Sequence, residues 1–496
     1  MNGRGPSRDR WVLIALVVGL GLRLARLGTA PLWFDEVVTA NWVGRPWPEL
    51  LGLCLADNHP PLYFALVKVV GDLFGDAPWV LRLPSALLSA GIIPLVAAIA
   101  ETLADRRAAR WAAWFAALSP FLVHHGQEAR MYALVGLLAA GNLLGLARWA
   151  RGDTARLGTL FALTSIGLVM THYYAVFYLG GAVLAAVAAR PRPVRGWFSA
   201  AAVSAAGCLG AFAMAALVAS HRAGGTYEFG WFALPGAVWS LVAGYALLPD
   251  TFALHAHGGR AALPYLPVAL AAAPALAACG LLGLDRVGRT GGLVLVVPLA
   301  AALLGPFAVR LVLGVGVNPR YFQATIPAVL VLLAAGASWR GAWPRAGRTA
   351  AVAVGLLFAT GTGLHLAEPA HGREDVRAAR GWLDANVVPD QPLLVTSPEM
   401  AYLARFHWSP RPIVDHPSPR TVVDAASAEE IVQHLPWRDG RAVYVFGRAW
   451  VSDPEGALER DVRRQFASCG TFETRGVRIY CLEQFASTKA RGGAGG

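Results

Sequence analysis

Of 496 residues, 56% are hydrophobic and only 15% are charged, and the mean hydropathy is +0.47. A soluble domain carries about 25% charged residues, so a soluble globular chain is excluded and a polytopic membrane protein is indicated. The net charge of +12 falls in short arginine clusters between apolar stretches, the pattern of cytoplasmic loops rather than of a nucleic-acid-binding face.

Arg4, Arg8 and Arg10 precede an apolar run that continues into Leu22-Arg23-Leu24-Ala25-Arg26 without a small-residue cleavage site. It reads as a retained first span over 11–27, entering from the cytoplasm. Arg23 and Arg26 near its outer end either snorkel to lipid headgroups or help to hold an anion. Further basic clusters follow at Arg106, Arg107 and Arg110; Arg148, Arg151 and Arg156; Arg190, Arg192 and Arg195; Arg286 and Arg289; and Arg340, Arg345 and Arg348. Placing all of them in the cytoplasm puts spans near 79–101, 110–124, 131–149, 157–171, 173–189, 197–219, 263–284, 291–313, 321–338 and 349–366. That is about eleven spans, each near the roughly 20 residues a bilayer requires, and an odd number places the tail outside. Two moderately apolar segments, 60–75 and 233–249, read as helices on the outer surface. Lys68 and Asp72, at i and i+4, give the first of these a polar face. Counting both as spans gives about thirteen helices and the same place for the tail.

Near residue 368 the composition changes. Glu374–Leu383 reads as an amphipathic helix, Pro392–Thr396 as a strand, and Ser427–His434 as a helix with Ser427 and Glu430 in a capping box. Ala442–Phe446 is a strand, Pro454–Phe466 a helix and Val477–Cys481 a strand. The alternation predicts a small extracytoplasmic α/β domain over 368–496, following a membrane domain over 1–367. The Gly-rich end from Arg491 reads as a disordered tail. Cys54, Cys208 and Cys279 lie in or near apolar segments as packing residues, whereas Cys469 and Cys481 can pair in an oxidising compartment. Neither a C-x-x-C pattern nor a Walker or G-x-G-x-x-G loop in a strand-to-helix context occurs, which argues against a cytoplasmic sugar nucleotide as donor.

On this topology the outer loops collect the unusual polar residues. The first holds Leu32-Trp33-Phe34-Asp35-Glu36 and Asn58-His59-Pro60-Pro61-Leu62-Tyr63. The second runs from Ser119 to Tyr132 and holds His124, His125, Gln127, Glu128 and Arg130. The third is Thr171-His172-Tyr173-Tyr174, and a later one is Asn318-Pro319-Arg320-Tyr321-Phe322. Two adjacent carboxylates where a span meets water mark Asp35 and Glu36 as catalytic candidates, although capping of a helix start is the plain competitor. Arg320 breaks the positive-inside pattern, which favours a ligand role over simple interfacial anchoring.

Asp-Glu after span one, then His-Pro-Pro-Leu-Tyr, Gln-Glu-Ala-Arg-Met-Tyr and Arg-Tyr-Phe before a late span resemble the C-type (GT-C) glycosyltransferase fold. The nearest resemblance is to the protein O-mannosyltransferase and lipid A aminoarabinose transferase group, over 1–366. It implies a polyprenyl-phosphate sugar donor, a bacterial-type inner membrane, an outer soluble domain and the first-loop acid, Asp35, as catalytic residue. The lysine that aminoarabinose transferases carry within the histidine-proline motif is absent from Asn58-His59-Pro60-Pro61.

A sugar on a phosphate already has its leaving group. One carboxylate, Asp35, then suffices to deprotonate an acceptor hydroxyl, with Glu36 positioning it, and direct displacement inverts the anomeric centre. The departing phosphate needs cations in a low-dielectric site. Arg320 with Tyr321 is the first candidate, followed by Lys68, Arg130 and Arg82, arginine being able to hold phosphate bidentately. Asn58, His59, Gln127, Glu128, His172 and Tyr173 are candidate substrate contacts. No cofactor is called, but Glu36, His59 and His172 are the candidates for a divalent metal. Partners are the lipid-linked donor, membrane lipids, and a glycan, lipid or protein acceptor. A transporter or flippase is the alternative, and a membrane scaffold ranks third; the spans lack the central charges and repeated halves that a transporter shows.

Overall fold

The structure is a computed structural model of the chain. It describes residues 9–57, 59–152, 157–189, 207, 233–313, 317–341, 344–415, 432, 435–448, 453 and 456–483. By contacts it divides into two units: Met1–Ala30 with Thr39–His371, and Pro31–Val38 with Gly372–Gly496.

The first unit is helical. Its elements are α1 (Arg10–Leu24), the second half of α2 (Phe34–Val43), α3 (Trp47–Ala56), α4 (Leu62–Phe74), α5 (Pro78–Leu103), α6 (Arg106–Leu118), α7 (Pro120–Gly126), α8 (Tyr132–Ala150), α9 (Leu157–Val169) and α10 (Ala175–Ala189). There follow α11 (Ala233–Ala243), α12 (Thr251–His257), α13 (Leu266–Leu313), a 3₁₀ turn Pro319–Thr325 leading into α14 (Ile326–Ala337), and α15 (Pro344–Ala367). Among the described residues, five helical stretches are long and apolar enough to cross a membrane: Pro78–Leu103, Tyr132–Ala150, Thr251–Leu311, Pro319–Ala337 and Pro344–Ala367. The expected span at 197–219 lies outside the described residues, apart from Gly207.

Three expected spans differ in form. The one at 110–124 is broken into α6 and α7, because Pro120 has no N–H to continue the α6 ladder and instead starts α7 at its first position, with Ser119 as N-cap. The two at 263–284 and 291–313 form α13, a pair of helices meeting at Gly288 (φ 71°, ψ −178°), a backbone state that glycine adopts without a Cβ penalty. The first half of α13 packs tightly on α14. A Cβ on Gly336 would lie 2.0 Å from the Cys279 carbonyl oxygen, and one on Gly283 would lie 2.1 Å from that of Leu332. Small residues permit such backbone approach where lipid supplies no hydrophobic drive.

Ion pairs gather Arg106, Arg110, Arg286 and Arg340, from three of the basic clusters, at one end of this unit. Asp9, buried at the start of α1, accepts from Arg106 Nε at 2.8 Å and Arg110 Nε at 2.9 Å. Asp105 caps α6 and pairs with Arg286 at 2.9 Å and Arg340 at 3.1 Å. Arg151 donates to the Leu103 carbonyl there too, at 2.8 Å. The opposite end is tied by backbone carbonyls: Arg26 donates to those of Leu366 and Ala367, and the Leu62 N–H to that of Met170. The α4 segment belongs to this end, with Tyr63 bonded to Ser85 and Lys68 to the Val43 carbonyl. The Lys68–Asp72 pair forms at 3.0 Å.

The second unit is the α/β fold that the alternation predicted. After Asp375 caps α16 (Val376–Asn386) come β1 (Leu393–Val395), α17 (Pro398–His407), β2 (Ile413–Val414), β3 (Arg441–Gly447), α18 (Ala457–Gln465), β4 (Ala467–Thr474) and β5 (Val477–Glu483). The sheet order is β2-β1-β3-β5-β4, parallel where β1 meets β2 and β3, and antiparallel from β3 onward. Leu394, Tyr444, Phe446, Leu458, Val462 and Leu482 fill its core. Cys469 and Cys481 form a disulfide between β4 and β5. Strands β2 and β4 and helix α17 are additions to the expected elements. The capping-box helix at 427–434 and the Gly-rich tail lie outside the described residues, Val432 excepted. The unit begins at Gly372 rather than 368 and includes Pro31–Val38.

Candidate functional site

In the helical unit, the second-loop residues are set by the end of α7. His124 and His125 occupy its last turn, and Glu128 follows one turn later. Glu128 Oε1 lies 3.2 Å from His124 Nε2, and Oε2 lies 2.9 Å from His125 Nδ1. His125 Nε2 faces the Tyr245 hydroxyl at 3.3 Å. His125 and Glu128 are buried.

Beside this cluster lies a group of rings and guanidiniums. The ring of Tyr132 is 5.0 Å from that of His125 and 6.0 Å from that of His172. Arg320, in the 3₁₀ turn started by Asn318, stands 5.8 Å over the Tyr132 ring. Tyr321 stacks on Tyr174 at 4.6 Å and lies 5.6 Å from His172. Burial first, then the nearby His59, Arg320 and Arg130, push the His172 imidazole down to about 3, so it is neutral at pH 7. Tyr173 is half-buried next to this group.

Arg130 is held from the other side. Its Nη2 donates to His59 Nε2 at 2.8 Å, and its Nη1 reaches Thr39 Oγ1 at 3.4 Å. A guanidinium can only donate, so His59 accepts at Nε2 and donates from Nδ1 to Asp57, 3.3 Å away. Trp42 and Phe64 pack around the His59 ring. The histidine-proline motif thus orients an arginine. Asn58, its neighbour, lies outside the described residues.

Three predicted contacts are committed to backbone carbonyls. Lys68 Nζ donates to the Val43 carbonyl and also to the Asp72 carboxylate, and Arg82 Nη1 donates to the carbonyls of Leu27 and Ala30 at 2.9 Å each. Gln127 Nε2 donates to Leu22, Arg23 and Ala25, closing the carbonyl end of α1, while its Oε1 accepts from His365 at 3.0 Å. Arg23 corrects the snorkelling and anion readings alike. It is wholly buried, bonded to Ser89 Oγ and the carbonyls of Gly19, Ala116 and Ala117.

Asp35 and Glu36 group with the second unit. Both stand in the first turn of α2, where the positive end of the helix dipole favours carboxylates. Glu36 is wholly buried; its Oε2 accepts from the Trp33 N–H at 3.3 Å and pairs with Arg373 at 3.5 Å. Arg448 covers the Phe34 ring at 4.8 Å, Tyr402 meets its edge, and His407 donates to the Leu32 carbonyl at 2.7 Å. Asp35, one residue earlier, is only partly buried.

The structure brings Arg130, Arg320, Tyr321, His59 and His172 into one group and sets Glu128 next to it. Of the metal candidates, Glu36 belongs to the second unit while His59 and His172 belong to the first. The compact ligand set among the described residues is instead His124, His125 and Glu128. Tyr132 and Tyr174, named in their loops, join the group, and so do Tyr245, Asp57 and His365, which had not been singled out. The i, i+4 spacing of His124 and Glu128 on a helix end was the one local signal available for the ligand set.

A family model described as dolichyl-phosphate-mannose-protein mannosyltransferase matches residues 58–221. No curated protein matches the chain. Among solved structures, ArnT from Cupriavidus metallidurans in the apo state is similar with a TM-score of 0.53 and 13% identity, over 96% of this chain and 98% of that one. The Archaeoglobus fulgidus oligosaccharyltransferase, solved with Zn and sulfate, gives a TM-score of 0.51 and 14% identity, over 95% of this chain and 72% of that one. Arabinofuranosyltransferase AftD from Mycobacteria gives 0.52 and 17%, over 96% of this chain and 40% of that one. At these identities the likeness establishes a shared fold.

Proposed function

We propose that this chain, which has the GT-C glycosyltransferase fold, moves a sugar from a polyprenyl-phosphate carrier to an acceptor hydroxyl at the outer face of a cell membrane. The observation that carries the proposal is the placing of two permanently charged guanidiniums, Arg130 and Arg320, near one neutral imidazole, His172, among the rings of Tyr132, Tyr174 and Tyr321. Neutral His172 adds a hydrogen-bonding edge without adding charge, and the guanidiniums suit the oxygens of a phosphate ester. Aromatic faces suit a pyranose or furanose ring. The matched family model carries a lipid-phosphate sugar in its description, which supports the same donor class.

Asp35 is the proposed general base. It stays partly exposed at a helix start, while Glu36 is held by Arg373 and positions the turn. With one base and no protein nucleophile, the acceptor oxygen attacks the anomeric carbon as its proton passes to Asp35, and the carbon–oxygen bond to the phosphate breaks with inversion. Arg320 and Arg130 stabilise the phosphate that leaves. In this account about eleven spans cross a bacterial-type inner membrane, with the N-terminus cytoplasmic and the α/β unit outside.

Purified protein and its Asp35→Asn variant, given a panel of polyprenyl-phosphate sugars with and without candidate acceptors, test the proposal. Turnover of one donor that is lost in the variant, with donor binding retained, supports it. Full turnover in the variant removes Asp35 from the mechanism, and turnover of no donor by either protein favours a transporter.

A further inference from the structure

We propose that His124, His125 and Glu128 form a binding site for one divalent cation of the zinc class. His124 Nε2, His125 Nδ1 and the Glu128 carboxylate lie within 4.8 Å of one another. The two nearest pairs are at 3.2 and 2.9 Å. Zinc bonds to imidazole nitrogen and carboxylate oxygen are about 2.0–2.2 Å, so two ligands on one tetrahedral ion stand ~3.3 Å apart. The three groups therefore need only small movements to close on an ion. Two imidazoles and one carboxylate are a donor set that zinc takes when a fourth position stays open.

The surroundings orient these ligands. With Nδ1 of His125 on the ion, its Nε2–H donates to the Tyr245 hydroxyl 3.3 Å away, fixing tautomer and ring plane. His365, whose ring centre is 5.0 Å from that of His124, is engaged by Gln127 and so stands outside the ligand set. Gln127 is itself anchored on three carbonyls of the first helix. Without an ion, one carboxylate must accept from both imidazoles, while His124 Nδ1 is buried with no hydrogen-bond partner among the described residues. An open fourth position would admit a phosphate oxygen of the donor, since Tyr132 connects His125 to Arg320. This last role rests on the proposed function; the binding of the ion does not.

The full-length protein, stripped with a chelator and re-equilibrated with micromolar Zn²⁺, tests the site by metal analysis, and Co²⁺ substitution by its visible spectrum. The expected result is about one equivalent of zinc, a tetrahedral Co²⁺ spectrum, and at least a roughly tenfold loss of affinity in Glu128→Gln and in His125→Ala. His365→Ala should retain the ion. Wild-type protein holding less than about a tenth of an equivalent, or variants that bind as well as wild type, overturns the proposal. Because the wild-type measurement suffices, a variant that fails to fold does not remove the test. Metal without sugar transfer contradicts only the enzymatic proposal, and transfer without metal contradicts only the site.

Discussion

Burial gives Asp35 and its neighbour Glu36 different work. Glu36 has no exposed surface and is engaged with Arg373 and the Trp33 N–H. Replacing it with Gln weakens the pairing of a buried charge, so Glu36→Gln should lower stability by about 2 kcal/mol. Asp35→Asn should abolish transfer. Calorimetry beside an activity assay separates the two. Arg320→Lys keeps the charge and loses the planar fork, so it should raise the apparent Kd for donor by roughly tenfold or more; equal affinity would remove Arg320 from the phosphate. The sequence drew notice to these residues because two carboxylates stand together where a span meets water and Arg320 breaks the positive-inside pattern. Tyr245 and His365 stayed out of sight because their partners come from distant positions, 120 residues away for Tyr245 and His125 and 238 for His365 and Gln127.

The break between α6 and α7 depends on Arg23. Pro120 ends the α6 ladder, which leaves the Ala116 and Ala117 carbonyls without helical donors, and the guanidinium of Arg23 supplies them at 2.9 and 3.3 Å. The same side chain reaches Ser89 on α5, so one residue fixes three helices. Arg23→Met should strip those carbonyls of donors inside the helix layer and cost about 3 kcal/mol or more, seen as lost folded yield and a lower melting temperature. A variant as stable as wild type would mean the carbonyls find other donors. Gln127 acts alike at the end of α1. Proline and the arginine are plain in the sequence; their meeting is not, because Arg23 and Ala117 are 94 residues apart. Helix and strand periods made most elements legible. The edge strand β4 escaped because Ala467–Thr474 is largely small and polar, and it is stapled to β5 by the Cys469–Cys481 bridge that the spacing allowed.

Across the whole molecule, hydropathy set the class and four of the arginine clusters marked one end of the helical unit. The acids that receive those clusters were harder to read. Asp9 and Asp105 each tie segments far apart in the chain. Burial alone would raise both carboxyls; the helix-start N–H groups and the arginines outweigh it and hold both below the usual aspartate range. A depressed carboxylate stabilises the fold above its unfolded pKa and loses that contribution as pH falls through the folded one. Thermal stability in detergent should therefore drop below about pH 4, and the drop should be smaller in an Asp9→Asn, Asp105→Asn double variant. An unchanged acid limb would show that these pairs contribute little. The grouping of Pro31–Val38 with the C-terminal unit was not legible, because that segment reads as the loop of a span and its partners, Arg373, Tyr402, His407 and Arg448, lie more than three hundred residues on.

The most direct test of the central claim is the release of polyprenyl phosphate from a radiolabelled polyprenyl-phosphate sugar by purified wild-type protein and Asp35→Asn, with donor binding measured in parallel. The account predicts turnover by the wild type and at least a roughly thousandfold loss in the variant, which still binds the donor. Turnover that survives in Asp35→Asn would contradict it.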